Sequence, residues 1–345
     1  MRSHARTIVV VAAAAALLAL FFRHVDLWRV GAEIVRARPE FLALSLATMP
    51  VNLAVRAYRW QFLLEPLGST RFGNAFRATA VGFAASSVLP ARAGEVIRPY
   101  FLARHEARAE RMSATGAFAT IILERLLDVI TVLVLLASYV LFFGRGLQTS
   151  NPVAYAWLSG IAAFGAAAAL GGLALLIVLA RDPQRLARMT RPIARVVPSL
   201  AATIAGVVER FALGLAVVRR PARLIVALLW SFPLWLAIAA GLWTGAMAFQ
   251  LDIPFTGTFP IIALLAIGVA VPTPGAVGGF HAAFRYGTTV LFGAPDAAAV
   301  GAAIVLHLFS VVPVLLLGLV FAAQAGLSVQ GMRRLAAQAE PGRSA

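Results

Sequence analysis

Long apolar runs, separated by short connections that carry arginine, set the pattern of this chain. A helix needs about 20 mainly apolar residues to cross the hydrocarbon core of a bilayer. Runs of that kind predict crossings over Thr7 to Phe22, Phe41 to Leu64, Glu124 to Phe143, Val153 to Ala180, Leu224 to Phe249 and Ala297 to Ala325. Two further runs are interrupted. Between Ala75 and Ala103, the stretch VLPARAGEVIRPYF breaks an apolar run with Pro90 and Gly94 and places Arg92, Glu95 and Arg98 where lipid excludes charge. Between Phe259 and Phe292, the stretch VPTPGAVGGFHAAF repeats the device. Pro272 and Pro274 stop the run, Gly275, Gly278 and Gly279 loosen it, and His281 and Arg285 follow. Paired interruptions in corresponding halves point to a transporter's central site. The expected fold is an all-α transmembrane bundle, one integral membrane domain over residues 1–345, with about six full crossings and two re-entrant hairpins. Two ordinary proline-kinked crossings are the alternative.

The connections suggest how the bundle is oriented. Arg181 to Arg223 carries nine Arg against Asp182 and Glu209, whereas Gly144 to Pro152 carries only Arg145 and Gln250 to Thr258 carries no Arg. The positive-inside rule puts the first on the cytoplasmic side and the other two outside. Both termini then lie in the cytoplasm, and Arg23 to Glu40 becomes an outer loop whose four Arg are nearly balanced by three acids. The hairpins consequently enter from opposite sides, as an inverted repeat would. Residues 181–223 mix arginines with Leu186, Ile193, Val196, Val207 and Phe211, the pattern of amphipathic helices on the inner leaflet or of a cap on the helix ends. The amino terminus looks like a signal peptide, but its small-residue cleavage sites fall inside the apolar run, so an uncleaved first helix is expected.

Composition narrows the function classes. The chain has 345 residues, 61% of them hydrophobic and 13% charged, and its mean hydropathy of +0.87 is far above that of soluble domains. The net charge is +16 with no Lys, yet the arginines lie in connections rather than on one solvated face, so no nucleic-acid partner is expected. Guanidinium groups instead suit the phosphates of membrane lipids. The absence of Cys removes disulfides, thiolate metal sites and a Cys nucleophile. His4, His24, His105, His281 and His307 share no helical ligand spacing, so no metal or cofactor is expected. The six tryptophans mostly fall near predicted helix ends, as interfacial anchors do.

Several charged residues are candidates for substrate binding. Arg92, Glu95 and Arg98 recur every three residues and form one ridge on a helix. They make either a cationic pocket for a phosphate, with Glu95 holding the guanidinium groups in register, or an ion-paired hairpin at the interface. The pocket is favoured because broken backbone at membrane depth is tolerated only against protein or water. Glu124, Arg125 and Asp128 open a predicted helix whose 19 residues from Arg125 to Phe143 span about 28 Å. They sit at the level of the first hairpin as part of the site or as a self-neutralised helix end. Arg56 is added from the preceding crossing, whereas Arg59 is read as snorkelling to headgroups. In the second hairpin, Gly275, Gly278 and Gly279 expose backbone N–H groups that favour an anion. His281 offers a group that titrates near neutrality, and Arg285 completes the set.

The elements RAYRW, VLPARAGEVIRPYFLAR, ATIILERLLD and VPTPGAVGGF, in this order and separation, resemble the lysylphosphatidylglycerol synthase transmembrane-region family of flippase-like membrane proteins. The resemblance runs from about Phe41 to Ala325 and implies a polytopic protein of the cytoplasmic membrane. In the multiple peptide resistance factor, a domain of this kind moves an aminoacylated phospholipid between leaflets and is fused to a soluble aminoacyltransferase. Only a short polar tail follows Ala325 here, so no lipid-aminoacylating activity is carried over, and a separate lipid-modifying enzyme is a candidate partner. Many members look to have Glu where this chain has His281. The expected function is movement of a phospholipid or polyprenyl-phosphate lipid, with an anionic phosphate headgroup, between leaflets. The alternative is an enzyme or accessory subunit acting on polyprenyl-linked sugars or cell-envelope lipids, with Glu95 or Asp128 as base.

Overall fold

The computed structural model describes residues 26–89, 93–106, 113–181, 210–211, 213–270 and 273–326. The expected first crossing, Arg92, Pro90, Pro272, most of the Arg-rich segment and the carboxyl-terminal tail lie outside the described residues. Every regular element among the described residues is helical. They are α1 (Leu27–Arg36), α2 (Pro39–Leu64), α3 (Phe72–Val88), α4 (Gly94–His105), α5 (Ala114–Ser138), α6 (Arg145–Ser150), α7 (Pro152–Arg181), α8 (Pro221–Ala248), α9 (Thr258–Gly268), α10 (Gly279–Phe292) and α11 (Asp296–Gln324). Five of them, α2, α5, α7, α8 and α11, are long and apolar enough to cross a membrane. Large apolar side chains such as Phe142, Trp157, Phe164, Leu170 and Leu316 face outward, as they do in lipid and rarely on a soluble protein.

Side-chain pairings fix the directions of the spans. Ser45 Oγ donates to the Gly241 carbonyl, Asn52 to that of Leu234, and Glu65 pairs with Arg223, so α2 and α8 run antiparallel. Trp60 meets Thr120 while Arg56 meets Glu124, which turns α5 against α2. Tyr155 reaches the Val140 carbonyl across the α5–α7 turn. Following the chain, the end of α2, the start of α3, the end of α4 and the starts of α5 and α8 share one face of the bundle. The α5–α7 connection, the α8–α9 connection and the start of α11 share the other. Asn74 on α3 donates to Glu106 just past α4, and Asn151 to the Val290 carbonyl of α10. The hairpin α3–α4 therefore opens on the first face and α9–α10 on the opposite one.

These helices are short for a reason. At 1.5 Å per residue, the 17 residues of α3 cover about 25 Å and the 11 of α9 about 16 Å, less than the hydrocarbon core. Proline alone does not end a helix here, since Pro50, Pro233 and Pro313 lie inside continuous α2, α8 and α11. Glycine sets the crossing. A Cβ on Gly94 would collide with the Gly82 carbonyl, and one on Gly279 with that of Gly268, so each hairpin crosses at a glycine pair. The packing is reciprocal as well. The entering helix α3 packs on α11, the span after the other hairpin, and α9 packs on α5, the span after the first. One apolar core surrounds the first hairpin with Trp60, Val81, Ile97 and Ile121, and another surrounds the second with Leu136, Phe259, Phe284 and Leu306.

Two expectations change here, and one open alternative narrows. The helix carrying Glu124 begins ten residues earlier, at Ala114, where Ser113 caps it by accepting from the Gly116 N–H at 3.0 Å. The apolar stretch ATIIL belongs to the span, and the charges sit in its middle instead of at its end. The loop over residues 23–40 contains an amphipathic helix, α1, capped by Asp26, with Val30 buried against the bundle. Of the Arg-rich segment, the described part packs Leu215, Val217 and Val218 onto the ends of α5 and α7, which fits a cap better than an inner-leaflet helix.

Candidate functional site

Three helices bring seven charged residues together, and a fourth adds Trp235 and Ser231. On α2, Arg56 and Arg59 lie one turn apart on the face toward α5. Arg59 pairs with Asp128 at 2.7 Å and with Glu124 at 3.5 Å, and Arg56 reaches both acids at 3.4 Å. From α4, Arg98 meets Glu124 at 3.1 Å, while Glu95 pairs with Arg125 at 3.2 Å. Arg125 also reaches Asp128 at 3.5 Å, one turn along α5. From α8, Trp235 Nε1 donates to Asp128 at 3.1 Å, and Ser231 Oγ lies 2.6 Å from Arg59. Arg59 and Glu124 are wholly buried, and Arg56, Arg98 and Asp128 nearly so. Charges at this depth persist only when paired. Four arginines against three carboxylates leave the cluster with one positive charge in excess.

Arg98 holds a special position in this network. Its stem runs over Gly82, where a Cβ would stand 2.7 Å from the Arg98 Cβ, and its guanidinium lies 3.8 Å from the centre of the Trp60 ring. Trp60 is fixed in turn by its Nε1 donating to Thr120 at 2.9 Å. One Arg98 nitrogen serves Glu124, while Nε and Nη2 have no hydrogen-bond partner among the described residues. Both atoms are strong donors whose desolvation is costly if left unmet.

A cavity of about 360 Å³ lies between the hairpins. The first hairpin and α5 supply Glu95, Arg98, Arg125, Ser86 and Ser87. Gly275, Ala276 and Thr273 come from the tip of the second, and His307 and Ser310 from α11. The turn Pro274–Ala276 rests on the end of α3, so the tips meet at the cavity. Gly275 and Gly278 have positive φ values of 60° and 87°, which glycine adopts without strain.

The candidate residues divide accordingly. Glu95, Arg98, Arg125 and Gly275 line the cavity, and Arg56, Glu124 and Asp128 form the network behind it. Gly278 and Gly279 shape the turn, with Gly279 used for close packing against Gly268. His281 lies behind the lining, and its Nδ1 faces the Gly278 N–H at 3.4 Å. Arg285 is taken elsewhere. Its Nε and Nη2 bind Asp296 at 2.6 and 2.7 Å on the outer side of α10, away from the cavity. Three readings of the sequence are corrected. Arg59 does not snorkel, because two buried acids lie within its reach. Trp60 and Trp235 belong to the charged network instead of an interfacial belt. The histidines are not all scattered, for the rings of His281 and His307 meet with centres 4.5 Å apart, inclined at 59°. His307 escaped the sequence reading although its mark was visible, a lone titratable group deep in an apolar span.

Comparison with known proteins agrees with this architecture. A UPF0104 membrane protein of Methanocaldococcus jannaschii is 26% identical over 108 residues, a match covering 30% of this chain and 31% of that protein. Residues 7–318 match the family described as lysylphosphatidylglycerol synthase TM region, and the chain belongs to that family of polytopic membrane proteins.

Proposed function

We propose that this protein moves a phosphate-bearing lipid between the leaflets of the cytoplasmic membrane, with the headgroup passing through the cavity between the hairpins and the acyl or prenyl chains staying in lipid. The observation that carries the reading is Arg98. It is a buried guanidinium with two unpartnered donors at a cavity wall, held in place by Glu124 and Trp60. Guanidinium groups bind phosphate through parallel N–H donors. The neighbouring hydroxyls of Ser86, Ser87 and Ser310 suit the polar remainder of a headgroup. Hairpins that open on opposite faces supply the two routes that alternating access requires. The face bearing Arg104, Arg219, Arg220 and Arg223 is assigned to the cytoplasm by its arginines. The enzyme reading has less support, since both Asp128 oxygens are held by arginines and Trp235 and are poorly placed to take a proton.

Purified protein in vesicles carrying fluorescent phospholipids, or a fluorescent polyprenyl phosphate, tests the proposal. Protein-dependent flipping is expected for at least one phosphate lipid, and Arg98→Ala should lower its rate at least tenfold, the cost of about one strong ionic hydrogen bond. Rates equal to those of empty vesicles for every lipid, or an unimpaired Arg98→Ala protein, would overturn it.

A further inference from the structure

The second hairpin and the span after it carry a pair of histidines that the phosphate reading does not use. His281, in the first turn of α10, and His307, in the middle of α11, are both buried, with Phe280 packed 5.1 Å from the His307 ring. Their contacts determine where the hydrogens sit. His307 Nε2 lies 2.7 Å from the Gly275 carbonyl, which only accepts, so Nε2 carries hydrogen. The Gly278 N–H only donates, so the His281 Nδ1 facing it carries the lone pair. The His307 Nδ1 has no hydrogen-bond partner among the described residues. The backbone that His307 holds is itself strained. Gly275 and Ala276 have φ values of 60° and 59°, and a left-handed conformation is unfavourable for alanine.

We propose that His307 is a proton-binding site that latches the tip of the second hairpin onto α11, with His281 limiting the pair to a single proton. A proton taken from water in the cavity adds to the His307 Nδ1 lone pair. The Nε2–H bond to Gly275 stays in place and becomes charge-assisted, shorter and roughly twice as strong. The tip, with Ala276 beside it at the cavity wall, is then held harder. A second proton on His281 would set two cationic rings together and leave the Gly278 N–H without its acceptor.

The charged surroundings give the latch a partner. Glu95 and Arg98 of α4 and Arg125 of α5 line the same cavity, and Arg56 and Arg59 of α2 lie behind them with Glu124 and Asp128. Helix α9 has no titratable residue, Arg77 of α3 sits over the Phe321 ring near the far end of α11, and Arg285 of α10 is bound to Asp296. Glu33 and the arginines of α1 flank only the start of α11, and Arg223 at the start of α8 is paired with Glu65. Among the described residues the cavity wall therefore carries one excess positive charge, which opposes the His307 proton until an anion enters. By linkage, an anionic headgroup and the proton each favour the binding of the other. This last step rests on the transporter reading; the latch does not.

The absence of Cys makes the test direct. The maleimide labelling rate of Ala276→Cys, divided by that of Gly146→Cys on the exposed outer connection, reports access to the tip independently of thiol chemistry. From about pH 8 down to about pH 4.5, a window carried below the ordinary imidazole range because the cavity wall opposes the proton, the ratio should fall about fivefold. In His307→Gln the amide still donates to Gly275 but takes no proton, so the ratio should stay flat. An equal fall in that variant, or no fall in either, would overturn the latch. Should His307→Gln not fold, histidine-labelled NMR of the unmutated chain decides. One ring of the pair titrating at Nδ1 supports the latch, while two independent titrations or none refute it. A pH-dependent tip in protein that flips no lipid would leave the latch standing and remove the transporter reading.

Discussion

Buried guanidinium groups in this bundle do two kinds of work, and the difference lies in which of them line the cavity, since Arg59 and Arg98 alike keep Nε and Nη2 without a hydrogen-bond partner among the described residues. Arg59 is spent on structure, since Asp128, Glu124 and Ser231 surround it and it never reaches the cavity. Arg98 lines the cavity, meets Glu124 through one nitrogen and keeps two buried donors unpartnered, so it can hold its own helix and turn to a ligand. Lysine would serve neither role as well, because one ammonium cannot present a planar fork to an acid and an anion together. Replacing an acid in the network exposes this dependence. Asp128→Ala leaves Arg56, Arg59 and Trp235 facing an apolar void and should cost about 3 to 5 kcal/mol of stability, the penalty of an uncompensated buried charge. Arg285→Ala breaks an ion pair whose acid is half exposed and should cost below about 1 kcal/mol. Unfolding midpoints in one detergent separate the two, and equal shifts would mean that the network is not buried as described. The sequence displays Glu124, Arg125 and Asp128 clearly. It does not display their partners, because Arg56 and Arg59 come from a helix nearly seventy positions away and pair only once α2 and α5 are antiparallel.

At the scale of elements, the hairpins were the most legible part of the chain. A proline and glycines inside an apolar run betray a helix that fails to cross, and both interruptions correspond to helices too short to span. The start of α5 was misread for the opposite reason. Charge normally marks a helix end in a membrane protein, and here it marks the centre of one, because partners on α2 and α4 meet it there. The pairing of His307 with His281 is not legible in the sequence, because spacing carries no sign of a neighbour on another helix. The glycine crossings yield a prediction whose sign is diagnostic. Alanine generally favours a helix over glycine by about 1 kcal/mol. At Gly171, exposed on α7 with open space around its Cα, Gly→Ala should be neutral or stabilising. At Gly94 or Gly279 the added methyl meets carbonyl oxygen of the partner helix, and the substitution should destabilise by about 1 to 3 kcal/mol through forced separation. A stabilised Gly94→Ala or Gly279→Ala protein would show that the hairpins do not depend on close crossing.

For the molecule as a whole, the decisive property is that the hairpins open on opposite faces, since a site reached from one side only could bind a headgroup without passing it on. The order of the spans enforces this. From α2 the chain passes into the first hairpin and on to α5, and from α8 into the second and on to α11, with three crossings among the described residues between one hairpin and the next. An odd number of crossings puts the two hairpins on different sides. Reciprocal packing of α3 on α11 and of α9 on α5 then brings the two tips to one cavity from opposite directions. Single cysteines in this Cys-free chain can check the geometry without any knowledge of the lipid. Arg104→Cys, exposed at the open end of the first hairpin, and Thr256→Cys, at the open end of the second, mark the two faces. In intact cells an impermeant maleimide should label Thr256→Cys and spare Arg104→Cys, and in inverted membrane vesicles the preference should reverse. Labelling of both from one side would place the two hairpins in the same leaflet. The cavity would then have a single entrance, and lipid movement by alternating access would lose its structural basis even if Arg98 binds phosphate.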